Sequence, residues 1–193
     1  MMYRVVPFLA SFLLFTAAPG LAQVSSGVKA GVNFSNVSFD PEDEECCDPR
    51  VGFAVGLFTT VGVTDAVSFQ PEFLYSMKGA KFSEGDEELK IDYFEIPLLL
   101  RADFTTSGNI RPFVLIGPSL GFKLNAKIDE DGEEVDIDDD VEGFDLGLAI
   151  GGGLQFGRGS IEARYTHGLS DADQDDESEA RHRVFSVLVG YRF

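Results

Sequence analysis

Apolar side chains recur on every second position along most of this chain, and the connections between these runs are alternately long and short. A period of two belongs to the extended strand, whose successive side chains point to opposite faces. The stretch from Arg183 to Phe193 shows it plainly. Phe185, Val187, Val189, Tyr191 and Phe193 share one face, while Val184, Ser186, Leu188, Gly190 and Arg192 share the other. The same alternation predicts seven earlier strands, over 28–38, 51–61, 67–79, 91–104, 111–125, 144–156 and 161–167. Connections after the first, third, fifth and seventh strands are long and acidic, and those after the second, fourth and sixth are short. An up-and-down meander of eight strands therefore gathers the long loops at one end and the short turns at the other. The expected fold is all-β: an eight-stranded antiparallel transmembrane β-barrel with short periplasmic turns and long acidic external loops.

Two soluble architectures share the alternation, a lipocalin-like barrel and a β-sandwich, and both turn the bulky face inward. The size of the second face argues against them. It is rich in small residues, among them Gly52, Ala54, Gly56, Gly117, Ser119, Gly147 and Ala149. An eight-stranded barrel has an interior just wide enough for side chains to fill. The small face fits that interior, and the Phe, Leu, Ile and Val face is predicted to meet lipid. The inner face also carries Lys29, Glu72, Lys78, Glu95, Arg101, Asp103, Lys123, Asp145, Glu162 and Arg164. Charges taken out of water must pair. Five bases and five acids permit a polar plug, with Glu95, Arg101 and Glu72 expected in one cross-strand network; the competing reading is an ion path. Pro71, Pro97 and Pro118 fall inside predicted strands, where each removes a ladder hydrogen bond, so bulges or interrupted pairing are expected there.

At the start of the chain, Arg4 precedes an apolar run from Val5 to Ala18, followed by Pro19-Gly20-Leu21-Ala22. This is the form of a secretory signal peptide cut after Ala22. It predicts a signal peptide over 1–22, a barrel domain over 23–193, and export to the outer membrane. Net charge is −18, which argues against nucleic acid or anionic lipid as a partner. Of the 33 acidic residues, 26 lie in the windows 40–48, 84–88, 129–142 and 171–179, none of which contains Lys or Arg. Such runs are read as solvated loops. The strand ending in Tyr191 and Phe193 resembles the C-terminal assembly signal of bacterial outer-membrane barrels. That resemblance implies two partners, outer-membrane lipid and the barrel-assembly machinery, for a chain expected to be a monomer.

Four motifs, in order, carry a further resemblance: Gly31-Val-Asn-Phe-Ser35, Gln70-Pro-Glu72 with Lys78-Gly79, Tyr93-Phe-Glu-Ile-Pro-Leu98, and Pro112-Phe-Val-Leu-Ile-Gly-Pro-Ser119. Their succession resembles the PorT-like family of outer-membrane β-barrel-domain proteins common in Bacteroidetes-type bacteria. The resemblance implies an eight-stranded outer-membrane barrel and brings no catalytic residues with it.

Candidates for chemistry are few. His167 and His182 flank the last long connection, near Ser170 and Asp171, and could form a rim catalytic group or a metal pair. Strand pairing alone would also bring two such histidines together, so no catalytic residue is assigned and no enzyme is expected. Asp129, Asp131, Asp136, Asp138 and Asp140 offer hard oxygen ligands, although their spacing is not that of an EF-hand. Loosely bound Ca²⁺ at the external loops is the one cofactor considered, beside adaptation of the exposed surface to a saline environment. Cys46 and Cys47 are adjacent, which disfavours a framework disulfide.

Overall fold

The computed structural model describes residues 23–39, 47–82, 88–106, 108–130, 133–136, 143–169 and 180–193. The predicted signal peptide and most of the four acidic windows lie outside the described residues. Nine strands follow in chain order: β1 (Val24–Phe39), β2 (Cys47–Gly62), β3 (Val67–Phe82), β4 (Glu88–Asp103), β5 (Ile110–Glu130), β6 (Glu133–Asp136), β7 (Phe144–Phe156), β8 (Gly159–Gly168) and β9 (Ala180–Arg192). Eight of them close into one antiparallel barrel. Each pairs with its neighbours in sequence, β5 passes to β7, and β9 returns to β1 along a ladder from Gly27–Arg192 to Phe39–Ala180. Closure matters because hydrocarbon cannot satisfy a free edge.

The short strand β6 was not anticipated. It pairs with the far end of β5, through Lys127–Asp136 to Glu130–Glu133, inside a window read as solvated loop. The ladder continues sideways into β4, so Leu89, Ile128 and Val135 occupy one row across three strands. The density of charge in this run hid the strand. Cys47 likewise belongs to β2, paired with Phe82, while Cys46 lies outside the described residues.

The prolines interrupt pairing without moving a side chain to the wrong face. Ladder pairs step from Pro71–Leu98 to Leu74–Glu95, and from Pro97–Ser119 to Leu100–Ile116, in unchanged register. The register shifts lie elsewhere, between Pro49 and Ala54 and at Asp92/Tyr93. Gln70, Glu72, Ser76, Lys78, Glu95 and Arg101 consequently all stay inside, each buried.

The outward face is apolar on each of the eight barrel strands among the described residues. Val55, Leu100, Val114, Ile150 and Val189 are among its exposed residues, and Phe193 is 70% exposed. Aromatic pairs join neighbouring strands toward the long connections: Phe34 with Phe185, Phe53 with Tyr75, and Phe122 with Phe144, with centroids 6.4, 5.7 and 5.5 Å apart. Phe69, Phe104, Phe156, Tyr191 and Phe193 are exposed toward the short turns. An apolar band between two aromatic girdles is the surface a bilayer selects.

Not all bulky residues are outside. Phe58, Leu74, Tyr93, Leu99, Phe113, Leu115 and Leu188 are buried in the lumen. They share the inward face with its small and charged groups, and glycines explain why they fit. A Cβ placed on Gly56 would meet the Phe73 carbonyl oxygen first and lie 2.9 Å from Leu74 Cδ2, and one on Gly153 would meet the Ile161 carbonyl oxygen first and lie 2.6 Å from Phe113 Cζ. Each glycine clears the volume its neighbour fills. Replacing Gly153 with Val should destabilise the barrel by about 1–3 kcal/mol, the usual cost of overpacking. The midpoint of urea unfolding of the refolded protein checks this, and an unchanged midpoint would contradict the packing.

Candidate functional site: a polar plug inside the barrel

The alternation that turns apolar residues to lipid turns their neighbours into a lumen without bulk water, so charged groups there must satisfy one another. They do so in three tiers along the barrel axis. In the middle tier Lys29 of β1 donates from Nζ to Glu72 Oε1 and Glu162 Oε2, each at 2.7 Å. Arg164 donates from Nη2 to both oxygens of Glu72 at 2.9 Å and from Nε to Glu162 Oε1 at 2.8 Å. Two cations and two anions thus close an alternating ring, and all four residues are at most 3% exposed. Glu72 on β3 and Arg164 on β8 stand on opposite walls of the eight-stranded ring, so their contact crosses the lumen.

Toward the long connections, Lys78 is paired with Glu95 and lies 3.4 Å from Asp145, with its ammonium 4.7 Å from the centroid of Tyr93. Between this tier and the middle ring, Asn33 donates to Ser76 Oγ at 2.9 Å and accepts from Ser186 Oγ at 2.8 Å. Toward the short turns, Arg101 grips Asp103 through Nε and Nη2, at 2.7–3.2 Å, and stacks over Phe113 at 3.6 Å. Gln70 and Gln155 complete that tier. Gln70 accepts from Arg101 Nη1 at 3.4 Å and donates to Glu72 at 2.7 Å, joining the lower tier to the middle ring. Gln155 donates to the carbonyls of Gly157 and Gly159, tying the plug to the turn after β7.

The predicted residues Glu72, Glu95, Arg101, Asp103, Asp145, Glu162 and Arg164 therefore all take part, but not as the single network expected of Glu72, Glu95 and Arg101. Glu95 and Arg101 are six positions apart on one strand, roughly 20 Å at the strand rise, too far to share a partner. Gln70, Gln155 and Asn33 were not assigned a role from sequence. Their inward parity was legible, but an amide carries no charge to mark it. Arg50 was outside the predicted second strand; it is buried near the upper tier and donates from Nη1 to the Lys78 carbonyl at 2.5 Å.

The tiers leave little room. The cavity between the upper and middle tiers, lined by Asn33, Lys78, Glu95 and Arg164, measures about 10 Å³. That is about the space of one water molecule.

The rim candidates are less converged. The ladder sets His167 opposite Arg183, while His182 pairs with Val37 of β1, so the two histidines are not a cross-strand pair. His167 stacks on Tyr165 on its own strand at 6.4 Å. Ser170 and Asp171 lie outside the described residues, as do Asp131, Asp138 and Asp140. The backbones of Asp129 and Asp136 belong to β5 and β6. Among the described residues, no group of three or more His, Cys, Asp or Glu is placed to hold a metal ion.

The family model described as an outer membrane protein beta-barrel domain matches residues 18–174. The chain resembles Neisserial surface protein A at 15% identity, over 88% of this chain and 99% of that one, with a TM-score of 0.54. It is also similar to Ail, the attachment invasion locus protein of Yersinia pestis, solved with a heparin analogue, at 20% identity over 88% and 99% of the two chains and a TM-score of 0.49. A third similar structure is the outer membrane enzyme PagL, at 15% identity over 86% and 98% with a TM-score of 0.48. At these identities the likeness shows the fold alone. No curated protein matches the chain by sequence.

The ring around Glu72 makes a direct prediction. Glu72→Gln leaves Lys29 and Arg164 sharing one carboxylate, and breaking a buried charge pair costs about 3–5 kcal/mol. Urea unfolding should show that loss, and it should persist in high salt because the ring is shielded from ions. A loss below about 1 kcal/mol, the range of surface pairs, would mean that the ring is not buried as described.

Proposed function

The chain belongs to the family of outer membrane protein beta-barrel domains, and on that premise we propose that it is a closed, non-conducting barrel whose acidic external loops carry a structural or adhesive role. Membership places it in the outer membrane. The observation that carries the closed reading is the plug, three tiers of paired charges and amides across the lumen, with a cavity of only about 10 Å³ between the upper and middle tiers. A role outside the barrel then falls to its connections. The short ones have little material: residues 63–66 and 104–109, and the turn at Gly157–Arg158. The long ones hold most of the acid. By the usual orientation of such barrels the long connections face outward and the short turns face the periplasm.

A narrow ion-conducting pore is the second reading, and one observation favours it: polar side chains run through the lumen from Lys78 to Arg101. Planar-bilayer recording separates the two. The closed reading expects purified protein to form no stable channels. Reproducible unitary conductance, abolished by Arg101→Ala or Glu95→Ala, would replace it with the pore. A rim enzyme on His167 and His182 is the weakest alternative; undiminished activity in a double alanine variant would end it.

Three finer readings belong to the same proposal. The ordered motifs from Gly31 to Ser119 support a PorT-like membership within the family. The Arg4-to-Ala22 pattern supports cleavage after Ala22, for which the mass of the mature protein is the check. The run from Asp129 to Asp140 supports loose association with Ca²⁺, bridging the loops to neighbouring surface groups. Calcium should then protect the intact protein from external protease, and replacing Asp138, Asp139 and Asp140 with Asn should reduce that protection. Protection unchanged by the substitutions would discard the bridging role.

A further inference from the structure

At the short-turn end the barrel opens into a cleft of about 620 Å³, bounded by the starts of β1 and β3, the turn after β2, Asp103, Arg111 and Arg192. Its volume lies in the range of small-molecule sites. Its charged lining is two arginines, Arg111 and Arg192, and two aspartates, Asp65 and Asp103. Arg101, Arg111, Arg158 and Arg192 gather at this end, against Asp65 and Asp103. Asp103 is already engaged by Arg101, which holds both of its oxygens.

The donors of Arg192 are the informative feature. The plug uses an arginine in one way twice. Arg101 grips Asp103 with Nε and Nη2, and Arg164 approaches Glu162 with the same two nitrogens. These nitrogens form one edge of the planar guanidinium, whose two parallel N–H groups match the two oxygens of a carboxylate or phosphate. In Arg192 the same pair, Nε and Nη2, is buried and has no hydrogen-bond partner among the described residues. A buried donor left unmade carries its full desolvation penalty, larger still on a charged group. Nearby Arg101 and Arg111 add repulsion, which Asp103 offsets in part. An oxyanion would answer the unmade donors and the excess positive charge together.

We propose that the short-turn mouth is an oxyanion-binding site, with the Nε/Nη2 edge of Arg192 as its recognition element and Arg111 as a supporting charge. The ligand is a molecule presenting a carboxylate or a phosphate to this end of the barrel. Lysine at position 192 would keep the charge but lose the two-pronged edge.

The test uses the refolded full chain, ¹⁵N-labelled, in detergent micelles. Inorganic phosphate and acetate are titrated separately, with sodium chloride at matched ionic strength as control, while the arginine Nε–H signals are followed. The Arg192 signal, identified by its loss in Arg192→Lys, should move to saturation with phosphate, acetate or both, and not with chloride. Phosphate alone marks a phosphoryl ligand and acetate alone a carboxylate ligand; either outcome supports the site. Backbone signals at 62–65 should report binding weakened roughly tenfold in Arg192→Lys and less in Arg111→Gln. A non-saturating shift, the same shift with chloride, or unchanged affinity in Arg192→Lys would overturn the proposal. If Arg192→Lys does not refold, as judged by loss of heat-modifiable migration, the wild-type titration decides, with the signal assigned through its contacts to the 190–193 backbone.

Discussion

Hydrocarbon offers no partner to a backbone N–H or C=O, so a strand within it must give its donors and acceptors to neighbours on both sides. The pairing of β9 with β1 meets that demand for the whole sheet, because it removes the last free edge. Closure at eight strands then fixes the radius of the lumen, and the radius dictates what the inward positions can hold. This is why glycine and bulky residues are interleaved there. The side chains of Leu74 and Phe113 lie where Cβ atoms on Gly56 and Gly153 would crowd them. The remaining inward positions carry charge, and burial without water obliges each charge to find an opposite.

The plug distributes that obligation in a way that favours one register. A one-residue slip of any strand would move its charged set to lipid and its apolar set to the lumen. Lys29, Glu72, Glu162 and Arg164 come from three strands, two of them on opposite walls, so slippage of β1, β3 or β8 would break the middle ring. A buried ionic ring is weak evidence for net stability. Its contribution here lies in discriminating between alternative pairings that the backbone ladder alone would tolerate.

Much of this was legible in the sequence, for a physical reason. The outward environment is hydrocarbon and the inward one a crowded polar lumen, so nearly every strand position is decided by polarity alone. β7 appears with the limits its alternation predicts, and the inward parity of Glu72, Glu95, Arg101, Glu162 and Arg164 survives the three prolines. Three things were not legible. Which residues of different strands share a tier depends on strand stagger, which no single strand encodes, although the spacing of Glu95 and Arg101 along β4 already set those two apart. β6 was hidden because its apolar positions are sparse within an acidic run. The amides Gln70 and Gln155 escaped notice because a neutral polar group on an inward face looks like filler until its neighbours are known. Their bonds to Glu72, Arg101 and the turn carbonyls join the lower tier to the rest.

The separation of charge along the axis follows from the same architecture. Of the 33 acidic residues, 26 lie in the four windows of the long connections, whereas four arginines gather toward the short turns. Strands of 13 to 16 residues, such as β7 and β1, set the two ends roughly 30–40 Å apart after allowance for tilt. The Debye length at physiological ionic strength is about 8 Å. Through solvent the two ends are therefore electrically independent, and the balanced plug between them adds no net field of its own. A chain of net charge −18 can in this way carry four arginines toward one side of a membrane and most of its acidic residues toward the other. Any anionic surface approaching the long connections meets repulsion that monovalent salt only screens, so attachment there needs either a cationic partner or bridging divalent ions. At the opposite mouth an oxyanion meets no such barrier.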